Sequence, residues 1–227
     1  MVSAPVHPSR RTVTKGVGWA VPTIALGAAA PAFAASPCSC TPNGCPSMGF
    51  GGALDGNGWK LSTVGTFTGG TTRYAGAYAP KTGSDTSCNS VPGGTGGGSI
   101  SAAIVMEGDP TAAGASITYS KSVCLQAGRT YTFAWSWNSF NANNRSMFLD
   151  AQVVSCSGTV VATAAQVQAL GRTTNNRGSR TLMVTPTATS LYTFEFIGTF
   201  GTTPAYDSAC NRYANDIGFT APLCSGG

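Results

Sequence analysis

The side chains that could do acid–base or nucleophilic chemistry are few in this sequence. Its one histidine, His7, precedes a pair of arginines near the start of the chain, and none follows. Downstream of it a Ser-His-Asp or Cys-His arrangement and His-ligated zinc are therefore excluded. Among the eight acidic residues, Asp150 and Glu195 lie in the middle of predicted strands, so a carboxylate pair that hydrolyses glycosidic bonds is the remaining catalytic hypothesis. We expect a non-catalytic protein, with that hydrolase as the alternative.

Eight cysteines could bind a metal or form disulfides, and all of them follow residue 34. Three of them lie in a segment rich in Pro, Asn and Gly, which predicts an irregular arm because this composition suits neither helix nor strand. Their Cys-x-Cys-x4-Cys spacing lacks the paired units typical of zinc sites and favours disulfides, with the pairing left open. The cysteines predicted to form disulfides are Cys38, Cys40, Cys45, Cys88, Cys124, Cys156, Cys210 and Cys224.

An export signal is predicted at the start of the chain. The run SRRTVTK, residues 9–15 with Arg10 and Arg11, resembles the twin-arginine signal, although Thr14 stands where a larger apolar residue is usual. A weakly apolar stretch follows and ends in Ala-Phe-Ala at 32–34, which predicts cleavage after Ala34. A retained membrane anchor is the alternative, but Gly, Ala and Pro make this segment a poor one. We expect an extracellular or cell-surface protein of a bacterium, and a Gram-positive one is the preferred interpretation. The space outside the cytosol is oxidising and therefore suits disulfides.

The charge of the predicted mature chain argues against a nucleic-acid partner. Ten basic and eight acidic residues follow residue 34, a net charge of +2, whereas the whole chain carries +5. Binding to nucleic acid would need a dense basic stripe, and the chain has none. The local cluster of Arg172, Arg177 and Arg180 is interpreted as a solvated loop. No second apolar run follows the signal, so we expect no membrane span in the mature protein.

Alternating side chains predict the elements that position these groups. Within residues 129–153, Tyr131, Phe133, Trp135 and Trp137 occupy every second position, and this pattern places four aromatic rings on one buried strand face. After a break rich in Asn, a second run alternates between two sets, Met147, Leu149, Ala151 and Val153 against Phe148, Asp150 and Gln152. We expect these two runs to form a β-hairpin or an adjacent strand pair at the centre of a sheet.

Further strands are predicted at short intervals, with Gly, Pro and Asp turns between them. They span 99–106, 115–124, 129–139, 146–155, 158–164, 179–185, 190–200 and 212–221. Residues 162–170 hold the one short run of helix formers. The pattern predicts an all-β, disulfide-stapled antiparallel β-sandwich. We divide the chain into a signal peptide at 1–34, a Cys- and Pro-rich arm at 35–48 and one sandwich domain at 49–227.

Four segments carry a family resemblance. They are a Gly-rich stretch with Phe50 and Trp59, then LQAGRTYTFAW at 125–135, YTFEF at 192–196 and NDIGF at 215–219. Together they cover most of the predicted mature chain and resemble the galactose-binding-like jelly rolls, which include many carbohydrate-binding modules. The resemblance implies a jelly-roll fold and a structural calcium near the last strand. Asp216 is the matching position, with Asn215 where a second Asp is common; a solvated or capping Asp is the alternative.

A sugar site combines a flat aromatic ring with amide and carboxylate groups. One strand face and the segment just before it could supply both. The candidate ligand-binding residues are Phe140, Asn141, Asn143, Asn144, Phe148, Asp150 and Gln152. In the alternative interpretation, Phe148 fills a second core layer and the asparagines satisfy a turn.

Besides the hydrolase, two non-catalytic functions remain open at the level of sequence. The first is a non-catalytic module that binds a polysaccharide or another cell-surface component, without a required cofactor. The second is a structural or adhesive surface protein that associates with itself and has no small-ligand site. The jelly-roll resemblance and the absence of a catalytic constellation favour the first function, whereas the low charge and the many Thr, Ser, Gly and Asn residues suit the second.

Overall fold

Strands of alternating burial build two antiparallel sheets, and the structure, a computed structural model, shows how they are ordered. It describes residues 38–69, 72–78, 100–141, 146–169, 177–201 and 215–226, with only the backbone at 68, 69, 109, 140, 141 and 215. The predicted signal with Arg10 and Arg11, and also Asn143, Asn144, Cys88 and Cys210, lie outside these ranges.

The first sheet, called the front sheet, contains six of the described strands. Its order is β1 (Trp59–Val64), β6 (Ala115–Leu125), β12 (Ser190–Phe200), β8 (Met147–Ser155) and β10 (Val167–Gln168), and β9 (Val160–Thr163) also pairs with β8. A short 3₁₀ turn, Gly56–Gly58, leads into β1.

The second sheet, called the back sheet, also contains six described strands. Its order is β11 (Arg177–Val184), β7 (Tyr131–Asn141), β13 (Asn215–Thr220), β4 (Ile100–Glu107) and β3 (Arg73–Tyr78), and β14 (Leu223–Gly226) also pairs with β7. A two-stranded ladder joins β2 (Phe67–Gly69) to β5 (Asp109–Pro110).

Successive long strands alternate between the two sheets, which is the mark of a jelly roll. β6, β8 and β12 belong to the front sheet, whereas β7, β11 and β13 belong to the back sheet. The structure thus confirms the predicted all-β antiparallel sandwich. Within the described ranges, it has no helix with the length and apolarity needed to cross a bilayer.

The two alternating runs within residues 129–153 are strands, as predicted. The prediction that these two strands pair with each other is wrong. β7 buries Tyr131, Phe133, Trp135 and Trp137, and β8 buries every second side chain from Met147 to Val153 in the same alternation. β7 pairs with β11, β13 and β14, while β8 pairs with β12, β9 and β10. Both runs face one core from opposite sheets, because the period of two fixes the buried face and leaves the pairing partner undetermined.

Aromatic rings from both sheets fill the space between them. Trp59 of β1 stacks on Tyr119 of β6 with ring centroids 4.7 Å apart, and Phe196 of β12 meets Phe219 of β13 at 4.2 Å. Burying each such ring stabilises the fold by about 2 kcal/mol or more. The run of helix formers at 162–170 forms no helix in its described part, where it supplies the end of β9 and all of β10.

Three disulfides tie the N-terminal arm to the ends of strands in both sheets. Cys38 pairs with Cys156, Cys40 with Cys124 of β6, and Cys45 with Cys224 of β14. The arm has no strand of its own in residues 38–50, although the Cys38 carbonyl accepts a hydrogen bond from the Leu191 amide at 2.8 Å. The preference for disulfides over a metal cluster is confirmed for these six cysteines.

Candidate functional site

The outward side of the front sheet carries the predicted residues of β8. Phe148, Asp150 and Gln152 are each half-buried and alternate with fully buried neighbours, as the sequence predicts. β6 and β12 of the same sheet show a similar alternation of buried and half-buried side chains. We call the outward residues of β6, β8 and β12 the front face.

Cross-strand pairing fixes what lies beside each predicted residue. Phe148 is opposite Thr199 of β12 on one side and Gln168 of β10 on the other. Gln152 is opposite Glu195 and donates a hydrogen bond from Nε2 to its Oε2 at 2.8 Å. The front face therefore has a half-buried aromatic ring two rows away from a fixed amide–carboxylate pair, and the row of Asp150 and Ile197 lies between them.

A second amide holds the other carboxylate of this face. The Nε2 of Gln166 donates to both oxygens of Asp150, at 2.9 and 3.0 Å. Because the Gln152 and Gln166 amides orient the two carboxylates, their remaining lone pairs stay available to hydroxyl donors in fixed directions.

Hydroxyl groups extend the face toward β1. Ser116, Thr118 and Ser120 of β6 lie opposite Thr199, Ile197 and Glu195 of β12, and all are half-buried. The resulting surface is a band of hydroxyl, amide and carboxylate groups, and its apolar members include Phe148 and Ile197. Such a mixture matches the hydroxyls and the C–H patches of a sugar.

The two mid-strand carboxylates are diagonal neighbours on this face. Asp150 lies opposite Ile197, and Glu195 lies opposite Gln152, two residues further along each strand. Diagonal neighbours in an antiparallel pair have Cβ atoms about 7 Å apart. Carboxyl groups at such positions can reach the separation of about 6.5 to 9.5 Å found in inverting glycosidases, where one of the pair activates a water.

The remaining predicted ligand-binding residues belong to a different part of the fold or lie outside the described ranges. Phe140 and Asn141 end β7 in the back sheet, where only their backbone is described. Asn143 and Asn144 fall between the described residues 141 and 146. The described structure thus brings Phe148, Asp150 and Gln152 together on one face, and the contribution of the other four stays a prediction.

Asp216, the candidate calcium ligand, lies near a guanidinium. Its Oδ2 is 4.0 Å from Nη2 of Arg73, whose Nη1 forms a 3.0 Å ion pair with Glu107. Within the described residues, no group of three or more His, Cys, Asp or Glu side chains gathers that could hold a metal ion. Calcium at Asp216 therefore stays a prediction.

Next to this charge cluster, Tyr78 lies flat over Gly218 of β13. A Cβ atom at Gly218 would come within 2.2 Å of the tyrosine ring, so only glycine permits this approach. Burial, with a smaller contribution from the negative charge of Asp216, raises the pKa of Tyr78 well above its usual value. The tyrosine is thus a packed, neutral side chain on the outward side of the back sheet.

A cleft in the back sheet was missed by the sequence reasoning. β13 ends at Thr220, opposite Ala103, and β14 resumes the pairing with β7 only at Leu223, opposite Ala134. Neither strand pairs with the intervening residue Ser136, whose amide instead donates to Oγ1 of Thr220 at 3.0 Å. The chain leaves a gap between β4 and β7 where a sheet would normally be continuous.

The walls of this cleft come from five separate stretches of the chain. A glycine turn closes one side, with Gly51 and Gly52 at φ of +69° and +79°, values that other residues rarely adopt. Ala102 on β4 also takes a positive φ, +52°, at a cost of about 1 kcal/mol or more for a residue with a Cβ. The cleft has a volume of about 500 Å³ and is lined by Tyr74, Ser101, Ser136, Thr220, Ala221 and Leu223, among others.

The location predicted for Arg180 is also wrong. It is a half-buried residue of β11 rather than part of a solvated loop, and its guanidinium carbon lies 5.8 Å from the centre of the Trp137 ring. This cation–π contact explains its position because a guanidinium is attracted to an indole face. Arg177 begins the same strand and is exposed, whereas Arg172 lies outside the described ranges.

The fold and the three described bridges define an all-β jelly-roll sandwich stapled by disulfides. No protein-family model matches the chain, and no curated protein matches it. Among solved structures, the enzymatically active domain of tailspike protein 4 of bacteriophage CBA120 is 15% identical over 80% of this chain, with a TM-score of 0.43. The chain spans 21% of that tailspike chain.

Carbohydrate-binding modules are also among the structures that resemble this fold. A CBM4 structure is 13% identical, with a TM-score of 0.45, over 80% of this chain and 100% of its own. The N-terminal cellulose-binding domain of β-1,4-glucanase C from Cellulomonas fimi is 12% identical, with a TM-score of 0.38, over 80% of this chain and 98% of its own. These likenesses are distant.

Proposed function

We propose that this protein is an exported, non-catalytic module that binds a glycan on the front face of its sandwich. One observation carries the proposal: Phe148, the Gln166–Asp150 pair and the Gln152–Glu195 pair follow one another in successive rows of the same outward surface. An aromatic ring can cover a C–H face of a sugar while carboxylate oxygens accept from its hydroxyls.

Preorganisation favours this surface for binding. Each carboxylate is already hydrogen-bonded to an amide on a neighbouring segment, so little side-chain freedom remains to be lost when a ligand arrives. The strands β6, β8 and β12 hold the face rigidly because each pairs over nine or more positions with its neighbour. A rigid polar platform suits an extended polysaccharide rather than a deeply enclosed small molecule.

Retention on insoluble and soluble polysaccharides tests the proposal. We expect the full chain to bind at least one polysaccharide, and Phe148→Ala and Gln152→Ala to weaken that binding about tenfold each. Met183→Ala is the matched control, since Met183 is an exposed apolar side chain of the other sheet. Failure of the folded protein to bind any polysaccharide in a broad panel would count against a glycan ligand.

Export is the second part of the proposal, and the disulfides support it. Three bridges in the described residues suit an oxidising compartment outside the cytosol. We propose that residues 1–34 are removed on export, that 35–48 form the stapled arm and that 49–227 form the sandwich domain. The test is the N-terminal sequence of secreted protein, with an Arg10→Lys, Arg11→Lys variant retained in the cell if the twin-arginine route is used.

A carboxylate-dependent glycoside hydrolase is the second candidate, favoured by the diagonal placement of Asp150 and Glu195. Release of reducing sugar ends from the bound polysaccharide would support it, and loss of that release in Asp150→Asn and Glu195→Gln variants would assign the pair. Binding without any release leaves the non-catalytic module.

A structural or adhesive role predicts a different behaviour. Leu61 and Val64 on the edge strand β1 are exposed, and β1 pairs only with β6 among the described strands, so β1 is a suitable edge for self-association. Sedimentation should then show concentration-dependent oligomers that dissociate when Val64 is changed to Lys. A monomer that binds polysaccharide rejects this role.

A further inference from the structure

The cleft between β4 and β7 has the size and the composition of a small-molecule site. Its volume of about 500 Å³ lies in the range of about 300 to 1,000 Å³ found for such sites. It is built by the back sheet and the Gly49–Gly52 turn, and it shares no lining residue with the front face. A ligand in the cleft would therefore be independent of one on the front face.

The chemistry of the lining selects an uncharged ligand. None of the eleven lining residues carries a charge at neutral pH. A charged ligand would lose hydration on entry without gaining a counter-charge, which is unfavourable. The polar groups that the cleft offers are the hydroxyls of Tyr74, Ser101, Ser136 and Thr220.

These hydroxyls can both donate and accept, which suits a ligand rich in hydroxyls. Thr220 Oγ1 already accepts from the Ser136 amide at 3.0 Å, so its own hydrogen remains free to point into the cleft. The β4 backbone at Ser101 and Ala102 extends past the last β13 partner, Ala103, and it adds carbonyl and amide groups on that side.

The rim supplies the apolar part of the site. The Leu223 side chain is 77% exposed, a large fraction for a leucine, and it lies beside Ala221 at the mouth of the cleft. The strained backbone of Ala102, with φ of +52°, stands at the same mouth, and such strain collects at ligand sites. A leucine and two alanines next to four hydroxyls match a ring with C–H faces and peripheral hydroxyls.

We propose that this cleft is a second binding site, specific for a neutral pyranose or pentose unit and separate from the glycan site on the front face. It gives the sandwich one sugar-binding surface on each sheet. A protein with two such surfaces could join two chains of a polysaccharide.

Amide NMR shifts of the ¹⁵N-labelled full chain test the proposal. The probes are methyl glycosides of glucose, galactose, mannose, xylose and arabinose, with glucuronate and glucosamine as charged comparisons. We expect saturable shifts of the Gly51, Gly52, Ala102 and Ser136 amides at millimolar concentrations of at least one neutral glycoside, with affinity about tenfold weaker for both charged sugars. No shift at these amides with any neutral glycoside up to about 100 mM overturns the proposal.

Variants separate the two sites. Ser101→Trp fills the cleft, and Leu223→Arg places a charge at its mouth on an exposed side chain; each should weaken glycoside binding about tenfold or more. Phe148→Ala is the matched control, and it should leave cleft binding unchanged while it reduces retention on polysaccharide. Equal loss in Phe148→Ala, or none in both cleft variants, contradicts a separate site. Cleft shifts that depend on protein concentration alone would indicate a second copy of the chain as occupant and overturn the proposal.

Discussion

Removing one of the three bridges should lower the stability of the sandwich without unfolding it. The perturbation is a pair of alanines at Cys40 and Cys124, or at Cys45 and Cys224, which opens one bridge and leaves the others closed. Paired substitution is preferable to a reducing agent because it changes one known bridge at a time. The aromatic core between the sheets should keep the fold cooperative, since it does not depend on the arm alone.

The lengths of the closed loops set the expected loss. The Cys40–Cys124 bridge spans 84 residues, and the Cys45–Cys224 bridge spans 179. In the chain-entropy description, loops of these sizes stabilise a fold by about 4.5 and 5 kcal/mol, and measured losses run from about 2 to 5 kcal/mol. The two variants should therefore differ by less than about 1 kcal/mol, because the entropy grows only with the logarithm of loop length.

Denaturant unfolding of the oxidised proteins, followed by tryptophan fluorescence, measures this loss. Trp59, Trp135 and Trp137 are buried and report on the core. We expect one cooperative transition in each variant, with Tm lower by about 5 to 15 °C. Ser157→Ala, an exposed change next to Cys156, serves as the control and should alter stability by less than about 0.5 kcal/mol. A variant without a cooperative transition would refute the reasoning, because the bridges would then create the fold rather than reinforce it.

Three further predictions concern packing, pH and metal. Gly218→Ala should destabilise the protein by about 1 to 3 kcal/mol, since its Cβ would lie 2.2 Å from the Tyr78 ring. The control is Gly76→Ala on the same sheet, whose Cβ would have no atom within 4 Å and which should therefore cost far less stability. Thermal unfolding compares the two variants. Burial raises the pKa of Tyr119 above the usual value of about 10, so the free energy of unfolding should be constant below about pH 10 and fall as pH rises past it. In Tyr119→Phe this fall should be shallower. If the free energy of unfolding falls equally steeply with pH in both proteins, Tyr119 is not the cause. If Asp216 binds calcium, calcium at about 100 times its Kd should raise the free energy of unfolding by about 2.7 kcal/mol. Asp216→Asn should abolish this increase. A Tm that does not depend on calcium would leave Asp216 as an ion-pairing residue.

Side-chain alternation allowed the strands and their buried faces to be predicted from the sequence. The prediction for residues 190–200 coincides with β12, and the buried aromatics of β7 and the outward Phe148, Asp150 and Gln152 of β8 lie on the predicted faces. The strands could be predicted because the alternation of buried and outward side chains is visible within each strand's own sequence.

Long-range arrangements could not be predicted in this way. The hairpin between β7 and β8 is wrong because a jelly roll sends consecutive strands to opposite sheets, and no local signal marks that crossing. The cleft was missed because its lining joins the glycine turn, Tyr74, Ser101, Ser136 and Thr220 from segments far apart in sequence. The cysteine partners likewise depend on which strand ends meet at the arm.

The bridge between Cys45 and Cys224 also decides how the molecule would respond to mechanical force. It links the arm directly to the last described strand and bypasses 179 residues of chain. Tension applied through the residues before Cys45 and after Cys224 would pass along the covalent disulfide bond. The hydrogen-bonded ladders of both sheets would then bear almost none of it. An oxidised sandwich of this kind should resist pulling and shear well beyond what its equilibrium stability suggests.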